Sequence, residues 1–198
     1  MLERSCGALV VDCTGGGVEG EINALKQCGY RWLLVQEHSV ESMDGEVLED
    51  ARKHIPNQLV ARNSSGDMVS ITALIKTQGS DTKLVGQMQP CYEAMGLQRQ
   101  QRGDHTIPPL VSQIADGENG GVMMNEFPSA YCQANHRIRD ESNGTVALNG
   151  SEYLELLEAD GFSSEHFPLI QAKHQHQLWL RVKNKLRLCL LKRFGRSM

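Results

Sequence analysis

Apolar and polar positions along this chain follow two different periods. Ala8 to Val11 is a short apolar run that ends at Asp12, and the glycines Gly15 to Gly17 follow it. Ile22, Leu25 and Cys28 then recur at helical spacing, and Gly29 supplies a stop. Tyr30 to Val35 is compact and apolar, which predicts a buried strand ending in the polar tripeptide Gln36, Glu37 and His38. Together these segments predict one strand, helix, strand unit.

Glu41 to Asn57 is charged and mixed, and Pro56 marks it as a connecting segment. Two β-rich runs, Gln58 to Arg62 and Met68 to Ile75, flank Asn63, Ser64, Ser65 and Gly66 and predict a hairpin. From Ser80 to Met95 the residues Leu84, Val85, Met88, Tyr92 and Met95 share one helical face, with Pro90 predicted to kink or divide it. Gln98 to His105 is a polar link. Pro108 and Pro109 lead into a short apolar strand, Leu110 to Ala115, and a further helical stretch is expected from about Val122 to Glu126. Thr145 to Leu148 predicts a short strand. Asn149 and Glu152 form a capping-box pattern for a helix over Glu152 to Glu158, which Gly161 ends. A last helix is predicted from roughly Phe167 to Leu191.

Strands alternating with helices predict an α/β chain with a parallel sheet flanked by helices, and ligands in such folds meet the carboxyl ends of the strands. Polar clusters stand at three of the predicted ends: Asp12, Gln36 to His38, and Asp116 to Asn119.

Composition narrows the class. A length of 198 residues favours one domain with a real core. The formal charge of -4 excludes a chain-wide attraction to phosphate backbones or acidic lipid, so neither nucleic acid nor membrane is expected as a partner. The charge is uneven, because Arg181, Lys183, Lys185, Arg187, Lys192, Arg193 and Arg196 occur without an acid among them. The six cysteines have no metal-ligand spacing and read as reduced thiols, which places the chain in the cytoplasm. His166, His174 and His176 invite a metal reading, but the last two are wrongly spaced for two ligands on one helical face, and no metal is expected.

Candidate chemistry concentrates at Asp116, Glu118 and Glu126, beside Gly117, Gly120 and Gly121. Glycosidic bond cleavage needs two carboxyl groups across the scissile bond, one to protonate the leaving oxygen and one to attack or stabilise the sugar cation. The plainer alternative is a turn at Asp116-Gly117 with Glu118 capping the next helix. The run from Pro108 through Asp116-Gly117-Glu118 to Glu126-Phe127-Pro128 resembles the Asp-Gly-Glu motif of family 57 glycoside hydrolases. Tyr30 to His38 and Lys76 to Lys83 are similar to further segments of bacterial members, and the resemblance runs from about Ile22 to Arg181.

The resemblance implies a retaining enzyme acting on α-glucans, either hydrolase or glucanotransferase, with an oligo- or polysaccharide as partner and no cofactor. It implies a partial (β/α)7 TIM-like barrel over residues 1–180, followed by a basic extension over 181–198. Asp116 would be the general acid/base, with His38, Glu118, Asn119 and Glu126 contacting the sugar. One departure matters. The family's nucleophile glutamate has no clean match, Asp12, Glu19 and Glu21 being the nearest carboxylates, and the family's amino-terminal strand with its histidine has no counterpart. The expectation is therefore a truncated or degenerate member, with exposed sheet edges through which copies could associate.

Two other readings stay open. Gly15-Gly-Gly17-Val-Glu-Gly20 fits the dinucleotide-binding glycine pattern between a strand and a helix, with Glu37 near the position of a ribose-binding acid. Nucleotide protection would decide for it. A non-catalytic module could instead act through the basic carboxyl-terminal helix, and salt-sensitive binding to DNA or anionic vesicles would favour that.

Overall fold

The computed structural model describes residues 10–11, 18–62, 67–77, 89–112, 132, 135–140, 142 and 144–173. Besides helical residues at 132 and 135–138, eight strands and four α-helices are described in full. In chain order these are β1 (Val10–Val11), α1 (Val18–Gln27), β2 (Trp32–Gln36), β3 (Val40–Ser42), α2 (Asp50–Lys53), β4 (Asn57–Arg62) and β5 (Met68–Lys76). Then follow α3 (Gln89–Gly96), β6 (Gln100–Arg102), β7 (His105–Ile107), α4 (Gly150–Ala159) and β8 (Leu169–Ala172). No helix among the described residues is long and apolar enough to cross a membrane.

Six strands form one sheet in the order β1-β2-β5-β4-β8-β3, and β6 and β7 form a separate hairpin. The expected α/β class holds, with β1, β2 and β5 mutually parallel and β4 parallel to β8. The expectation of parallel strands throughout does not: β4 runs antiparallel to β5, and β3 antiparallel to β8. The physical reason is the short connection between Arg62 and Met68, since a hairpin reverses the chain while a parallel partner needs a crossover of a dozen residues or more. Among the described residues the sheet is open, with β1 and β3 as its edges, and closes into no barrel.

The connectivity also requires this sheet to curl. Between β2 and β3 lie four strand spacings, about 19 Å across a flat sheet. Yet Gln36 and Val40 are joined by a single 3-10 turn, Glu37–Ser39, and four residues reach at most roughly 14 Å. Only a strongly coiled sheet brings the two ends that close. Residues from β2, β3, β4, β5 and β8 accordingly pack into one apolar cluster on one face: Leu33, Val35, Val40, Leu59, Ala61, Ile71, Ala73, Ile75, Ile170 and Ala172. Ile22 and Leu25 of α1, with Leu48 and Val69, join it.

Alternate residues of the same strands point the other way. Leu34 and Leu74 pack there against Tyr153, Leu154 and Leu157 of α4, together with Ile55, Ile107, Phe162 and Phe167. α1 and α4 thus cover opposite faces. α4 starts as its sequence pattern predicts: Asn149 Oδ1 accepts from the backbone N–H groups of Ser151 and Glu152 at 2.9 and 3.0 Å, and Glu152 Oε2 accepts from Asn149 N at 2.8 Å. Gly161, at φ 80°, takes the left-handed conformation that ends the helix region.

Several expectations change. The polar link at 98–105 contains the β6 strand and the start of β7, turned by Gly103 at φ 59°. Residues 110–112 pair with no strand, and neither do 145–148. The segment 41–57 holds part of β3 and all of α2. The predicted helix over 167–191 begins instead as β8, because Leu169 to Ala172 finds open ladder positions between β4 and β3. Pro90 lies in α3, and residues 80–88 of the predicted helix, which decide whether it kinks or divides there, lie outside the described residues.

Candidate functional site

The carboxyl ends of β2 and β5 lie side by side, with Val35 paired to Ile75 and Gln36 to Lys76. Beyond β2 the 3-10 turn carries Glu37 and an exposed His38. Glu37 is held by an ion pair to Lys53 of α2 at 3.5 Å, with both side chains mostly buried. Lys53 also donates to Asp50 at 2.8 Å. That hydrogen bond raises the Lys53 ammonium above its ordinary value and holds the Asp50 carboxyl below its own. Lys76 and Thr77 are buried at the end of β5. Ser112 then joins this end of the sheet, its hydroxyl donating to the carbonyl of Ile75 at 3.1 Å.

Of the residues singled out in the sequence, His38 therefore stands at a strand end, as expected. Asp116, Glu118, Asn119 and Glu126 lie outside the described residues, as do Asp12 and Gly15 to Gly17. Glu19 and Glu21 fall on α1, with Glu21 exposed, and Gly20 sits within that helix. Trp32, half-buried, packs against the α4 cluster while its indole N–H donates to Ser151 Oγ at 3.0 Å. His166 stacks on Phe162 with ring centroids 5.6 Å apart and lies 5.5 Å from His105, while its Nδ1 accepts from the backbone N–H of Ser163. His174, His176 and the basic stretch from Arg181 to Arg196 are outside the described residues. Among the described residues no three His, Cys, Asp or Glu side chains converge as metal ligands.

A cleft of about 490 Å³ opens elsewhere, toward the amino-terminal ends of β2 and β5. Gln58 of β4 and Ser70 and Thr72 of β5 line it from the sheet, Lys26, Tyr30 and Arg31 from the end of α1 and the start of β2, and Leu154, Glu158 and Phe167 from the α4 side. Gln58 Nε2 donates to Thr72 Oγ1 at 3.1 Å, a bond set by the register that places the two residues opposite each other. Arg31 is clasped by Glu158 at 3.1 Å and Glu155 at 3.5 Å. The sequence reading passed over these residues. Their signal was present in the strand pattern, where Ser70 and Thr72 are polar at a spacing of two in an otherwise apolar strand, and Gln58 stands across from Thr72.

No family model matches the chain, and neither does a curated protein or a solved structure.

Proposed function

We propose that the chain acts on an α-glucan saccharide at the carboxyl ends of β2 and β5, with Asp116 as the general acid/base. The observation that supports this most is the Ser112 hydroxyl bound to the carbonyl of Ile75. It ties the segment that precedes the Asp116-Gly117-Glu118 motif to the strand end beside Glu37 and His38. In this reading Asp116 gives a proton to the glycosidic oxygen and later recovers one from water or an acceptor sugar, and His38, Glu118, Asn119 and Glu126 hydrogen-bond the hydroxyls. Such an aspartate must have its proton affinity raised toward neutral pH by burial or by a neighbouring carboxylate, as acid/base carboxyls generally do. The parallel block β1-β2-β5 is the part of a (β/α)7 barrel that the chain would retain. A retaining reaction also needs a nucleophile, which is either one of Asp12, Glu19 and Glu21, none of which matches the family's motif cleanly, or absent from this chain.

The test is release of reducing ends from maltooligosaccharides and amylose by the purified chain. Asp116→Asn should abolish turnover while saccharide binding persists. Turnover unchanged in that variant removes Asp116 from the mechanism, and no turnover by the folded wild-type chain removes the catalytic reading.

One observation favours a second reading. β1, α1 and β2 form a strand-helix-strand unit with β1 and β2 parallel and adjacent, and Glu37 follows β2 directly. This is the frame in which a glycine-rich turn receives a pyrophosphate. Against it, Glu37 is engaged by Lys53, and among the described residues β1 is an edge of the sheet, where a dinucleotide crevice calls for a strand on either side. A rise in the unfolding midpoint with NAD or NADP, and none with maltooligosaccharides, would select it.

A further inference from the structure

The cleft between the sheet and α4 has a polar floor with unused hydrogen-bonding capacity. Gln58 and Thr72 are each only 8% exposed. Their mutual bond uses one N–H of the Gln58 amide and one lone pair of the Thr72 hydroxyl. The amide oxygen, the second amide N–H and the hydroxyl proton remain. Both residues line the cleft, and Gln58 Oε1 is not among the buried side-chain atoms left without a partner in the described residues, which are Arg52 Nε and Asn57 Oδ1. Ser70 adds another hydroxyl one pleat along the same face of β5.

The electrostatics argue against a charged occupant. The Arg31 guanidinium at the mouth is already answered by the carboxylates of Glu155 and Glu158. Lys26 is exposed to solvent at the end of α1, where an ammonium complements the helix terminus. What remains is a floor of neutral donors and acceptors, with Tyr30 and Phe167 among the walls. A side-chain amide is suited to neighbouring hydroxyls, since its oxygen accepts from one while its N–H donates to the next. Aromatic walls meanwhile accept the C–H face of a sugar ring. The volume of about 490 Å³ lies within the range of small-molecule sites.

We propose that this cleft binds an uncharged, hydroxyl-rich molecule the size of a mono- or disaccharide, and that Gln58 is the residue that reads its adjacent hydroxyls. The site is distinct from the carboxyl ends of β2 and β5 and does not depend on Asp116 or on any hydrolysis. The experiment is ligand-observed NMR and calorimetry on the full chain with glucose, which has no glycosidic bond to cleave, with maltose, and with inorganic phosphate as the charged probe. Saturable binding of glucose or maltose is expected, weakened at least tenfold by Gln58→Leu and several-fold by Thr72→Val, a near-isosteric change that keeps the strand packed should the first variant fold poorly. Binding retained at full strength in a folded Gln58→Leu or Thr72→Val chain, preference for phosphate, or no binding of either sugar would overturn the proposal. Turnover in the Asp116→Asn experiment reads the other site, so the two claims fail separately.

Discussion

Asn57 is a sharp place to test the packing account. It is fully buried at the start of β4, and its amide nitrogen donates to two backbone carbonyls, Arg52 O and Ile55 O, each at 2.9 Å. Those bonds hold the turn that delivers the chain from α2 into the sheet. Asn57→Asp keeps the shape and replaces the donor by an oxygen facing two oxygens. Each stranded carbonyl costs about 1–3 kcal/mol, and a buried carboxylate adds its own desolvation. The loss should be at least about 3 kcal/mol at pH 7, a large share of the roughly 5–15 kcal/mol that stabilises a domain. Acidification should narrow it. The introduced carboxyl has a proton affinity raised by burial, so its penalty is present at neutral pH and fades as pH falls toward the ordinary carboxylate range, where an O–H can serve one carbonyl. Urea unfolding of both chains at about pH 7 and about pH 4.5 measures this. A deficit below about 1 kcal/mol at pH 7, or one that grows in acid, would refute the reasoning.

Two glycines should respond oppositely to alanine. A Cβ at Gly150 would lie 2.5 Å from Trp32 Cη2 and Cζ2 and 2.9 Å from Leu74 Cδ1, so Gly150→Ala should destabilise by about 1–3 kcal/mol despite alanine's better helix propensity. Gly20, in α1, has nothing within 4 Å, and Gly20→Ala should leave the urea midpoint unchanged or raise it by up to about 1 kcal/mol in stability; a reversed order would contradict the α4–sheet packing. Tyr153 donates its hydroxyl to Pro108 O at 2.7 Å, and burial pushes that hydroxyl's pKa well up. Because only the unfolded chain then releases this proton as pH rises past about 10, alkali should destabilise the wild type more steeply than Tyr153→Phe, and equal slopes in alkaline unfolding would be the contrary result.

Local patterns carried much of the fold. The α1 face, the β2 apolar run, the β4–β5 hairpin and the Asn149/Glu152 cap are all written in short-range spacing, and each forms where that spacing puts it. What the pattern did not carry was long-range pairing. Leu169 to Ala172 has no strong period of its own and becomes a strand because β4 and β3 both leave ladder positions beside it. The β6–β7 hairpin had its turn signal in Gly103-Asp104, but Gln100 to Arg102 is wholly polar and shows no alternation that would mark a strand. The curl of the sheet follows from strand order, which no local period encodes. For the site, His38 at the end of β2 was legible because strand ends are predictable, whereas Gln58 and Thr72 acquire meaning only through the register that sets them opposite each other.

The central claim is that a glucan oligosaccharide engages the carboxyl ends of β2 and β5. Amide hydrogen exchange with and without maltoheptaose tests it most directly, because it reports on the described strand ends whether or not turnover occurs. Slowed exchange is expected at Gln36 to Ser39, at Lys76 and Thr77 and at Leu110 to Ser112, the three segments that meet there. Saturating saccharide that leaves all three unchanged would contradict the account.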